Sequence, residues 1–101
     1  MRMMIRFSFP VDAGNAAIRT GKLETVFRQL MDDLKPEAAY FTAWGGHRSA
    51  FLIVDVADPS KIPSLAEPWF LTFNADIELN PVMNGQDLAA AGLEGLGKAW
   101  A

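Results

Sequence analysis

The sequence predicts an α+β domain with the element order β-α-β-β-α-β. Two stretches, residues 3–9 and 75–83, alternate apolar and polar side chains, which is typical of strands buried on one face. Between them lie a long stretch with helical periodicity, two extended runs joined through Gly45-Gly46, and a second, proline-containing helical stretch. Right-handed crossovers between such elements give a ferredoxin-like sandwich, a four-stranded antiparallel sheet with both helices on one face.

The first strand and the first helix have the clearest patterns. Odd positions of residues 3–9 are apolar, whereas Arg6 and Ser8 lie at even positions. Pro10 then ends the run, and Asn15 is a candidate helix N-cap. Pro36 ends the helix, because the residue before a proline is disfavoured in the helical region. Apolar residues spaced by three and four form the predicted buried stripe of this helix: Leu23, Val26, Phe27, Leu30, Met31 and Leu34.

The middle of the chain predicts a hairpin followed by a second helical region. Strands are expected over residues 38–44 and 49–56, because two glycines between them supply the positive φ that a tight turn needs. Asp58-Pro59 is typical of a helix start. Pro63 and Pro68 each remove a backbone donor, so residues 59–73 are expected to form a broken pair of helical turns.

The C-terminal residues predict a strand and then a poorly stabilised tail. Residues 75–83 alternate in polarity and form the fourth strand. Asn84 opens a possible helix, but Gly92, Gly95 and Gly97 each cost roughly 1 kcal/mol relative to alanine in a helix. We therefore expect one domain over residues 1–101, in which residues 84–101 are a weakly helical tail.

Composition narrows the class of protein. The 101 residues are half apolar and carry a net charge of −3 with scattered charges, which disfavours a nucleic-acid-binding surface. No apolar run approaches the roughly 20 residues of a membrane span, and the N-terminal residues do not form a secretory signal, so a cytoplasmic location is expected. Cysteine is absent and His47 is the only histidine, so neither a metal site nor a cofactor is predicted.

Strand parity divides the predicted sheet into two faces. Strand positions of one parity are all apolar, for example residues 3, 5, 7 and 9, and this face is expected to lie under the helices. The other face is too apolar for open water and too charged for a dry core, so we expect it to pair with a second copy as a dimeric α+β barrel. Its residues are Met4, Arg6, Ser8, Phe51, Ile53, Asp55, Asp76, Glu78 and Asn80, with either Tyr40, Thr42 and Trp44 or Ala39, Phe41 and Ala43 from the second strand.

Four segments carry a resemblance to a known family: LKPEAAYF at 34–41, ADPSKIP at 57–63, AEPWF at 66–70 and NPVM at 80–83. Across roughly residues 3–92 the chain resembles a family of small bacterial proteins without assigned function. That family is grouped with the dimeric α+β barrels, which include small isomerases, decarboxylases, cofactor-free monooxygenases and ligand-binding regulators. The resemblance implies a ferredoxin-like homodimer and carries no catalytic motif.

The candidate functional residues lie on the predicted open face and its hairpin. Arg6 is expected beside Asp55 and either Glu78 or Asp76, where it forms a structural ion pair or orients a ligand carboxylate. His47 is either a solvent-exposed loop residue or a base at a cavity mouth, and the aromatic residues of the second strand are either ligand wall or core. The candidate ligand-binding set is Arg6, Tyr40, Trp44, His47, Asp55, Glu78 and Asn80.

These residues favour binding over catalysis. A small carboxylate or aromatic metabolite, held between the paired sheets, would suit an arginine on a partly aromatic surface. The alternative is a cofactor-free enzyme of the isomerase, lyase or monooxygenase kind, whose site needs only a few placed polar groups. No nucleophile elbow, phosphate loop or metal-ligand spacing is present.

Overall fold

A four-stranded antiparallel sheet with helices on one face forms the body of the molecule. The computed structural model describes residues 1–101. The strand order is β2-β3-β1-β4, so the first strand lies between the third and the fourth. The predicted ferredoxin-like arrangement is thereby confirmed. The strands are β1 (Arg2–Ser8), β2 (Ala38–Trp44), β3 (His47–Asp55) and β4 (Asp76–Pro81).

Two helices, α1 (Val11–Arg19) and α2 (Lys22–Leu34), replace the single long helix of the prediction. The break lies at Gly21, whose φ of 76° is left-handed and is adopted by glycine without steric cost. Asn15 lies inside α1 and caps no helix, because α1 already begins after Pro10. The apolar stripe predicted for α2 packs on the core as expected.

The proline-containing region is one continuous helix, α3 (Ile62–Phe73), preceded by a 3₁₀ turn at Pro59–Lys61. The expected break was wrong. Pro63 lies in the first helical turn, where the backbone N–H has no intrahelical partner in any case. Pro68 removes one bond from the helix interior, but core packing holds the helix: the Trp69 ring is fully buried and stacks on Phe7 with centroids 4.1 Å apart.

The core lies between the helices and one face of the sheet, as strand parity predicts. Its central side chains come from β1, β3 and α3: Ile5, Phe7, Leu52, Val54, Trp69 and Phe73. None of the helices is both long and apolar enough to cross a bilayer.

Two short helices, α4 (Gly85–Ala89) and α5 (Leu93–Ala99), follow β4. Asn84 Oδ1 accepts from the Asp87 N–H at 2.8 Å, and Asp87 Oδ2 accepts from the Asn84 N–H at 3.0 Å. This capping box fixes the start of α4. Neither helix buries a residue in this chain.

Candidate functional site

The open face of the sheet holds most of the predicted candidate residues. Arg6 lies on β1 with Phe51 opposite it on β3 and Glu78 opposite it on β4. Tyr40 is paired with Phe51, which places the even positions of β2, including Trp44, on this open face. The alternative set of Ala39, Phe41 and Ala43 therefore belongs to the helix side.

Arg6 is held by an acid on one side and an aromatic ring on the other. Its Nη2 donates to Glu78 Oε1, which is the expected ion pair. Its guanidinium carbon lies 6.0 Å from the centroid of the Trp44 ring, at the outer limit of a cation–π contact. The Trp44 ring meets Phe51 edge-on, with centroids 5.5 Å apart. The arginine side chain is 23% exposed, so the charge lies at the surface of the sheet and is not enclosed.

The contacts of His47 assign its neutral tautomer. Nδ1 lies 3.1 Å from the Gly45 carbonyl oxygen, which can only accept, so Nδ1 carries the proton and Nε2 is free to take one. Ser49 Oγ donates to the His47 carbonyl oxygen at 3.1 Å, and Ser8 Oγ therefore donates to Ser49 Oγ at 2.7 Å. These bonds hold the hairpin against β1.

A cavity of about 540 Å³ lies at the hairpin end of the open face. It brings four of the seven candidates together: Arg6, Trp44, His47 and Glu78. Its wall also includes Phe70 and Asp76, which were not among the candidates. The remaining three candidates do not line it. Tyr40 is two strands away from Arg6, on the other side of Phe51, Asn80 is paired with Met4, and Asp55 is at the far end of β3.

The expected contact between Arg6 and Asp55 does not form. The register pairs Asp55 with Arg2, four residues earlier on β1, and its carboxylate accepts from the Met1 amino group at 2.9 Å. Arg2 Nε donates to Glu37, and Arg2 Nη1 lies 3.6 Å from Asp87. The hydrogen bond from Arg2 to Glu37, with the charges of the nearby carboxylates, raises the pKa of the Arg2 guanidinium.

A second, larger cavity lies on the opposite face, between the sheet and the first two helices. It has a volume of about 660 Å³, within the range of small-molecule sites. We refer to it as the helix–sheet cleft. Its apolar walls are Phe7, Phe9, Ile18, Leu23, Phe27 and Phe41, and Phe27 meets Phe41 edge-on at 5.3 Å.

Arg48 is the polar group that distinguishes this cleft. It lines the cleft and takes part in no salt bridge, whereas Arg28 beside it is paired with Glu24 at 2.8 Å. Its side chain lies over Gly14 of α1, where a Cβ atom would approach Arg48 Nη1 to 2.8 Å. Gly14 therefore provides the space in which the guanidinium lies.

Sequence reasoning missed the helix–sheet cleft because it placed Arg48 in the hairpin loop. In the structure β3 begins at His47, so Arg48 has the same parity as Ala50, Leu52 and Val54 and lies on the helix side. Extending the apolar alternation of β3 backwards by two positions would have identified it. The break at Gly21, next to which the cleft opens, left no comparable signal in the apolar pattern.

No cluster of three histidine or acidic side chains that could hold a metal ion occurs in the chain.

Comparisons with known proteins establish family and fold. The profile of a family described as Domain of unknown function (DUF3303) matches residues 1–96. No curated protein matches the sequence.

Among solved structures, 5-chloro-2-hydroxyhydroquinone dehydrochlorinase (TftG) from Burkholderia phenoliruptrix, in complex with 2,5-dihydroxybenzoquinone, is similar with a TM-score of 0.66 and 15% identity. The match covers 85% of this chain and 97% of that one. A de novo designed protein, Ferredog-Diesel, matches with a TM-score of 0.48 and 9% identity over 80% of this chain and 85% of that one. At 15% identity the first likeness shows a shared fold and nothing about chemistry.

Proposed function

The chain belongs to the DUF3303 family of domains of unknown function, and from its geometry we propose that it is a homodimer that binds a small organic anion with an apolar body in the helix–sheet cleft. The observation that carries this proposal is the unpaired Arg48 at the edge of an aromatic cleft. A planar guanidinium recognises a carboxylate through two parallel hydrogen bonds.

The walls of the cleft define the rest of the ligand. Phe27 and Phe41, with Ile18 and Leu23, offer an apolar surface for an aromatic ring system or a short alkyl chain. The buried rings of Phe7 and Phe9 lie beneath them. Burying that surface supplies affinity, while the single free cation sets orientation. The proposed ligand class is therefore aromatic or aliphatic monocarboxylates.

A thermal-shift screen of monocarboxylates against their uncharged amides tests the cleft. A ligand at 100 times its Kd stabilises the folded state by about 2.7 kcal/mol, so binding raises the melting temperature. We expect carboxylates to stabilise the protein and the matching amides to do so weakly. Arg48→Met should weaken binding at least tenfold by calorimetry.

Arg19→Met is the matched control, because Arg19 is an exposed arginine of α1 that does not line the cleft. It should bind like the unmodified protein. Equal binding by Arg48→Met, or no stabilisation by any carboxylate, would contradict the proposal.

The open sheet face supports the homodimer and a second ligand position. Tyr40 and Trp44 are 70% and 54% exposed there, and a mixed face of this kind is usually covered by another surface. A partner sheet would enclose the cavity around Arg6, in line with the expected ligand between paired sheets. If that cavity binds the ligand, Arg6→Met abolishes stabilisation and Arg48→Met does not.

One observation favours an enzyme as a second candidate function. His47, with Nε2 free to accept a proton, lines the same cavity as Glu78. A cofactor-free isomerase or lyase using this pair would convert a bound ligand, whereas a binding protein would release it unchanged. Mass spectrometry of each screening hit after incubation separates the two, and His47→Gln should abolish any turnover.

A further inference from the structure

The C-terminal residues project away from the body. Every residue from Met83 to Ala101 is exposed, and we refer to residues 83–101 as the arm. The molecule measures 58 × 28 × 20 Å and its radius of gyration is 16.9 Å, compared with about 13 Å for a compact domain of this length. The arm accounts for this elongation because the rest of the chain forms one layered body.

The arm is amphipathic although nothing in its own chain covers it. Leu93, Leu96 and Trp100 are spaced to share one side of α5, and they are 58%, 50% and 87% exposed. Glu94 and Lys98, 3.5 Å apart, lie on the other side. An apolar stripe of this kind is typical of a helix that packs against another surface.

Helix propensity alone does not sustain the arm. Its helices have five and seven residues, and isolated helices shorter than about 12 residues are marginal in water. Gly95 and Gly97 inside α5 lower its stability further, because glycine loses more backbone entropy in a helix than alanine does. The arm therefore needs a packing partner to keep this structure.

The arm is anchored beside the open sheet face. Asp87 at the start of α4 lies 3.6 Å from Arg2, whose side chain belongs to that face and also binds Glu37. A second copy that covers the open face thus lies next to the arm. The two surfaces that a single chain leaves uncovered are adjacent.

We propose that the arm of each chain packs on the exposed β2 edge of a second copy, so that the two arms are exchanged across the homodimer. This inference rests on the proposed homodimer. The arm follows β4, and β2 is the opposite edge of the same sheet, about 14 Å away across three strand spacings. A two-fold axis that runs along the strands between facing sheets places β4 of one copy over β2 of the other.

The receiving surface is apolar, as the arm requires. Tyr40 and Trp44, which lie on the open face of β2, are 70% and 54% exposed. Interface area favours the same partner, because each exchanged arm would add its apolar stripe to the area that the paired sheets bury.

Sedimentation equilibrium of the full chain tests the inference. Serine at both Leu93 and Leu96 should weaken dimerisation at least tenfold, because the stripe loses its apolar contact with the partner. Serine at both Glu94 and Lys98, on the other side of α5, is the matched control and should leave the dimer unchanged. An unmodified chain that is monomeric overturns the homodimer and this inference together. If the double variant Leu93→Ser, Leu96→Ser dimerises as tightly as the unmodified chain, the arm exchange is overturned and the homodimer is not.

Paramagnetic broadening in mixed dimers gives a second, independent readout. The chain has no cysteine, so a nitroxide on Lys98→Cys labels the polar side of the arm uniquely. Chains that carry the nitroxide but no ¹⁵N are mixed with ¹⁵N-labelled chains that carry no nitroxide. In the mixed dimers we expect the amide signals of Tyr40 and Phe41 to broaden. The exchange would be overturned if broadening occurred only when nitroxide and ¹⁵N were in the same chain. It would also be overturned if the broadened signals in mixed dimers came from another surface than β2.

Discussion

Leu30 is the one residue of α2 whose side chain is buried, at 8% exposure. We predict that Leu30→Ala lowers the free energy of unfolding by about 2–5 kcal/mol, because the removed atoms leave a cavity in the core. Urea denaturation at constant slope measures the change. Leu71→Ala is the matched control, since Leu71 is 79% exposed on α3 and should change stability by less than about 0.5 kcal/mol. Equal effects of the two substitutions would show that α2 does not cover the core.

A substitution at Gly14 tests ligand binding separately from the stability of the fold. An added Cβ would lie 2.8 Å from Arg48 Nη1, the far end of a flexible side chain that can move away. Alanine also favours the helix by up to roughly 1 kcal/mol over glycine. We therefore predict that Gly14→Ala changes the free energy of unfolding by less than about 1 kcal/mol but weakens carboxylate binding, measured by calorimetry. Unchanged affinity would mean that Arg48 does not contact the ligand.

Among the elements, the hairpin depends most directly on the conformational freedom of glycine. Gly45 and Gly46 have φ values of 60° and 83°, and no atom lies near the position of an added Cβ at either residue. We predict that Gly46→Ala lowers the free energy of unfolding by about 1–2 kcal/mol, because a left-handed backbone is strained for any residue with a Cβ. Gly97→Ala, in a helix and equally uncrowded, should not destabilise the protein. Thermal denaturation of both variants checks this pair.

For the whole molecule, the decisive quantity is the mass in solution. We predict a homodimer, with twice the chain mass of 11.1 kDa, by light scattering at micromolar concentration. Ile53→Asp on the open face should weaken association at least tenfold, because it encloses an unpaired carboxylate between two sheets. Leu71→Asp on the exposed side of α3 introduces the same charge away from that face and should leave the mass unchanged. A monomeric unmodified chain would refute the pairing.

Much of the fold was determined by the sequence itself. Alternation along β1 and β3 assigned Ile5, Leu52 and Val54 to the core, because successive side chains of a strand point to opposite faces. Helical periodicity identified α2, and the paired glycines identified the hairpin. Parity also placed Arg6 and Glu78 on one face. These signals are local, so no tertiary contact was needed to interpret them.

Tertiary structure decided what local patterns leave open. The register of β3 against β1 moved Asp55 away from Arg6 and opposite Arg2. Alternation alone leaves this open, because a slip of two residues keeps every side chain on the same face. Packing of Trp69 kept α3 continuous through Pro68. The helix–sheet cleft also depends on how two layers meet. Gly21, in the turn between α1 and α2, lines it, and Arg48, which gives it its charge, lies over Gly14. A cavity is a property of surfaces that are distant in the chain, and only the folded arrangement brings them together.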